Sequence, residues 1–163
     1  MFGRGSLLGI YLNDHLAGAT VGVELGRRLA ASHRDSPSGP DLARVAAEVG
    51  EDRDTLRDIM AALALPGNRL KVSEAWAAEK AARLKLNGHL LTRSPLSGLL
   101  ELEAMRLGVE GKAAGWRTLR IVAETESRLE VRQLDTLLER ARAQSDILEQ
   151  VRTRAAAGLV DNS

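Results

Sequence analysis

The chain has 163 residues, 44% of them hydrophobic and 28% charged, with a net charge of +1. That balance excludes a disordered chain and gives no global pull toward nucleic acid or an anionic membrane. Cysteine is absent, which excludes disulfides and thiolate chemistry, and Phe2, Tyr11, Trp76 and Trp116 are the only aromatic residues, too few for a β-sandwich or barrel.

Alanine and leucine supply most of the apolar content, and both favour helix. The expectation is therefore an all-α fold in a single domain spanning residues 1–163. Asn13-Asp14-His15 close the apolar stretch near the N-terminus, and no run reaches the roughly 18 apolar residues of a membrane span. No membrane and no nucleic acid are expected as partners, and the expected location is the cytoplasm. The preponderance of arginine over lysine fits a GC-rich bacterial genome.

The first helix is expected from Ser6, its N-cap, to Ser32, followed by the turn-rich loop SHRDSPSGPD. The second runs from Pro40 to Leu65 on the apolar stripe Leu42, Val45, Val49, Asp52, Leu56, Ile59, Leu63, with PGN at 66–68 as its stop. A short third helix spans Val72 to Leu86. Ser94 as N-cap and Pro95 in the first turn start the fourth, which reaches Ala123. The fifth runs from Arg128 to Leu159.

Four long segments and one short one between the second and third long ones predict a four-helix bundle with one long crossover. In this helix order the chain resembles the ferritin-like superfamily. The resemblance implies a centre in which helices contribute glutamates, two of them in Glu-x-x-His motifs, to iron or manganese. The Glu-x-x-His motifs are missing here.

The acids at apolar positions are the candidates for chemistry, because a carboxylate buried alone costs several kcal/mol unless it is paired, protonated or metal-bound. Asp52 interrupts the second stripe, and Glu48 lies one turn before it. The stripe Leu96, Leu100, Glu103, Leu107, Glu110, Ala114 sets two glutamates among leucines, and Glu130 opens Glu130, Leu134, Leu137, Ala141. In the first helix Glu24 shares a face with Asn13, and His15 shares another with Leu8, Leu12 and Ala19.

The candidate metal set is thus Glu24, Glu48, Asp52, Glu103, Glu110 and Glu130, with His15 as the sole nitrogen ligand and iron or manganese as the metal. The competing expectation has these acids in ion pairs with Arg53, Arg83, Lys112 or Arg117, Glu24 with Arg28, and His15 as a hydrogen-bonded structural imidazole. No bound metal is the favoured reading.

Two glycine stripes remain: Gly18, Gly22 and Gly26 in the first helix, and Gly108, Gly111 and Gly115, with Ala104, in the fourth segment. A helix-interior glycine costs up to about 1 kcal/mol relative to alanine. Close helix contact between the two stripes would offset it, and a self-complementary dimer interface is the alternative. Trp76 and Trp116 are expected where the crossover meets the bundle. The function expected is non-catalytic, through self-association as a homodimer or through a protein partner. The alternative is a carboxylate-rich metal-binding or redox protein.

Overall fold

The structure is a computed structural model and describes residues 6–65 and 94–160. Within them lie four helices, α1 (Leu7–Ser32), α2 (Gly39–Ala62), α3 (Pro95–Val122) and α4 (Val131–Val160), and no strand. The expected short helix Val72 to Leu86, with Trp76, Arg83 and His89, lies outside the described residues.

Local chemistry sets the ends. Ser6 Oγ accepts from Gly9 N at 3.1 Å and starts α1. Ser94 and Ser97 start α3 reciprocally, each hydroxyl accepting from the other's backbone N–H, with Pro95 behind them. The α1–α2 turn is tight: a Cβ at Gly39 would sit 2.6 Å from the His33 carbonyl oxygen, so only glycine fits.

Helix α2 ends earlier than PGN predicts. Leu65 N donates to Met60 O at 3.1 Å and Ala64 N to Ala61 O at 2.9 Å. That pair of bonds is a Schellman stop, and the accompanying apolar contact is available from Leu65 and Met60, both buried in one cluster. Ala64 takes the left-handed position usually given to glycine, with φ 54.

Two antiparallel hairpins, α1–α2 and α3–α4, pack on each other. Across them Tyr11 meets Thr118 and Arg28 meets Glu101, so α1 and α3 run antiparallel. Asp52 meets Arg140 and Ser38 meets Arg154, so α2 and α4 also run antiparallel. It follows that α2 and α3 point the same way.

The apolar core falls into two clusters along the bundle. One contains Val23, Leu29, Val45, Val49, Leu102, Met105, Val109 and Leu148. The other contains Leu12, Leu16, Leu56, Ile59, Trp116, Leu119, Leu134 and Leu137. Every residue of the predicted α2 stripe is buried, Asp52 included at 1% exposure.

Candidate functional site

Between Val49 in one apolar cluster and Leu56 in the other, Asp52 reaches the middle of the bundle. Lys112 Nζ of α3 donates to its Oδ2 at 2.5 Å, and Arg140 NH1 of α4 donates to its Oδ1 at 3.0 Å. Gln144, with no exposed surface, ties the group together. Its Nε2 donates to Glu48 Oε2 at 3.0 Å and to Asp52 Oδ2 at 3.3 Å, and its Oε1 accepts from Lys112 at 2.5 Å. Arg140 also reaches Glu51 Oε2 at 3.0 Å.

Helical spacing explains the convergence. Glu48 and Asp52 are one turn apart on α2, as are Arg140 and Gln144 on α4, so two donors meet two acceptors across the α2–α4 seam. Burial pushes the Lys112 ammonium below its ordinary value of 10.5, and the Asp52 charge and hydrogen bond oppose that. Both Asp52 oxygens are taken up by donors. A cation entering here would have to displace the lysine.

The other candidate ligands lie apart. Glu24 is on the surface and pairs with Arg27 at 2.8 Å rather than with Arg28, which bonds Glu101 of α3. Glu103 is half-exposed, 3.8 Å from Arg152. Glu110 accepts from the Ser145 hydroxyl at 2.8 Å. Glu130 is exposed just before α4. Among the described residues no three His, Asp or Glu side chains are placed to hold a metal ion.

The misplacement of Glu103 and Glu110 has one cause. Helix α3 carries two apolar stripes, and its core face is Leu99, Leu102, Met105, Val109, Ala113, Trp116 and Leu119. The stripe Leu96, Leu100, Leu107 faces outward, with Leu107 73% exposed. Two apolar stripes on one helix look alike in sequence, and only packing tells them apart.

A groove runs between α1 and α3 with a volume of about 460 Å³. The two glycine stripes border it, though not in contact. A Cβ added at Gly18, Gly108 or Gly111 would meet no atom within 4 Å. Gly26 instead lets α2 approach, its added Cβ lying 3.3 Å from Ala46 Cα. At Gly115 the added Cβ would lie 3.1 Å from His15 Nδ1.

His15 therefore leans over Gly115 at one end of the groove, edge-on to Tyr11 with ring centroids 4.5 Å apart. Desolvation holds its imidazole below the usual 6.5, with Asp14 pulling weakly the other way. Tyr11 and Thr118 share a hydrogen bond of 3.0 Å across the same end. Asp52, Arg53 and Lys112 border the groove at its middle, so the ion cluster forms part of its wall.

Arg140 and Gln144 are the site residues that sequence reasoning misses. The spacing Leu137, Ala141, Gln144, Leu148, Val151 places Gln144 inside the α4 stripe and is the signal for it. Arg140, one turn from Gln144, has no comparable mark. The chain matches no protein-family model, no curated protein sequence and no solved structure.

Proposed function

We propose that the chain is a ferritin-like bundle whose metal position has become a structural ion cluster, and that it acts non-catalytically, by association. The observation carrying this reading is the Lys112 ammonium bound between Asp52 and Gln144 at the centre of the bundle. A lysine there supplies the positive charge that a metal ion would bring to inward acids. Helix directions support the ferritin-like part, since parallel α2 and α3 require one long crossover. The apolar outer face of α1 and α3 supports association, because such a face on a folded domain marks a contact surface.

The test is elemental analysis of the purified protein, followed by anaerobic Fe(II) and Mn(II) titration. The expected result is no stoichiometric metal in the wild type. Two metals per chain, lost on Asp52→Asn, would overturn the reading and point to redox chemistry. Lys112→Gln adds a finer check: vacating the ammonium position should raise metal affinity if the site descends from a metal centre.

A further inference from the structure

The outward stripe of α3 has a strict period. Leu100, Leu107, Ala114 and Ile121 recur every seven residues, the spacing of a helix–helix seam. Leu107 is 73% exposed and Ile121 68%. On α1, Leu7 and Ile10, level with the Ile121 end of α3, are also exposed. Glycines 18, 108 and 111 make the groove between these rims deep, yet no described atom of the chain fills the space above them. Each forgoes the helix stability that an alanine would give, for room that the described fold leaves unused.

We propose that a second copy of this chain docks on the α1–α3 face about a two-fold axis, the two α3 helices meeting antiparallel along their outward leucine stripes beside the glycine-floored groove. This rests on the associative reading above and names its partner. Three observations favour a second copy. Leu100 and Ile121 lie equally far from the point between Glu110 and Gly111, and so do Leu107 and Ala114. An antiparallel pair of α3 helices crossing there sets large side chains against each other at the ends and Leu107 against the small Ala114 near the middle.

Charge selects the same arrangement. Glu103, 3.8 Å from Arg152 of its own chain, and Arg117 flank the stripe on opposite sides of that point, so antiparallel pairing puts acid beside base there, while the two copies of Glu110 come together at the axis. Arg117 is exposed and has no hydrogen bond or ion pair among the described residues. Area agrees as well. Two neighbouring helices are about 20 Å across and, over the 28 residues of α3, about 42 Å long. A footprint of that size has room for the roughly 800 Å² that one partner brings to a stable interface.

Sedimentation equilibrium on the full chain tests it. The expected mass is twice 17.6 kDa. Leu107→Glu should return the mass of a single chain with its helical circular dichroism intact. Because the chain lacks cysteine, Gly111→Cys should cross-link under mild oxidation, while Ala47→Cys on the exposed side of α2 should not. A wild-type chain that stays monomeric at millimolar concentration overturns the proposal. So does a dimer indifferent to Leu107→Glu, or a monomer that this substitution unfolds, which would mean that Leu107 is packed within its own chain. Metal analysis of the same sample reports separately: a metal-loaded dimer removes the non-catalytic reading and leaves the interface standing.

Discussion

Asp52 and Lys112, 60 positions apart in sequence, meet at 2.5 Å in the middle of the bundle with the Asp52 side chain fully buried. The pair joins the two hairpins, and Arg140 joins it from α4. Removing one member of a buried ion pair strands the other, which costs about 3–5 kcal/mol, whereas replacing both with apolar groups is far milder. Asp52→Leu should therefore lower unfolding stability by that amount. Asp52→Leu combined with Lys112→Met should recover a good part of it in urea denaturation. Additive losses would show that the two side chains are not energetically coupled.

Ala64 holds a left-handed backbone at the end of α2. An L-residue with a Cβ pays roughly 1 kcal/mol there, and glycine does not. Ala64→Gly should raise the thermal midpoint, unlike glycine substitutions inside α2 such as Ala47→Gly. An unchanged or lower midpoint would remove the Schellman stop as the reason α2 ends here.

The glycines should divide into two groups. Gly18→Ala, Gly108→Ala and Gly111→Ala meet open space, so each should add up to about 1 kcal/mol to the stability of the single chain. Gly39→Ala and Gly115→Ala should destabilise, the first by driving a Cβ into the His33 carbonyl and the second by displacing His15. A uniform response across all five would contradict the groove geometry.

His15 on the upper limb, and Glu126 together with Glu149 on the lower, give the stability profile slope with pH. His15 is held below 6.5 by burial, so the unfolded chain takes up a proton that the folded one refuses. Its contribution is present above about pH 6.5 and lost as pH falls below it. Glu126, hydrogen-bonded by the Arg128 side chain and backbone, is pulled down to about 2 from 4.5. Its contribution is present above about pH 4.5 and lost as pH falls toward 2. His15→Gln should flatten the upper limb and leave the lower one unchanged, while Glu126→Gln should reduce the lower limb's slope only in part, since Glu149 is held to about 2 by Arg152, in urea midpoints measured from pH 8 to 3.

Much of the fold was legible because its signals are local. Ser6, Pro95 and the α2 stripe mark helices through capping and period, and they agree with the observed elements to within a few residues. Asp52 stood out as a charge in an otherwise apolar row, and Lys112 was among its expected partners. Arg140 was not, since nothing near it in sequence announces a contact 88 residues away. Glu103 and Glu110 misled because their stripe is a true apolar row on the wrong side of α3. Glu24 chose Arg27 because Arg28 was claimed by Glu101 on a neighbouring helix. Such competition is invisible to spacing within one helix.

The shared direction of α2 and α3 bears on how the chain assembles. Each hairpin closes a short loop and gains its helix–helix contacts cheaply in entropy, so each can form early by itself. The two must still be brought into register, and sliding or rotating one hairpin on the other would keep many of the core leucines covered. It would not keep Asp52 against Lys112 and Arg140. Acid, ammonium and guanidinium meet in one alignment, and any other leaves charges stranded in the core. The cluster thus serves as the gauge by which the two halves find their register.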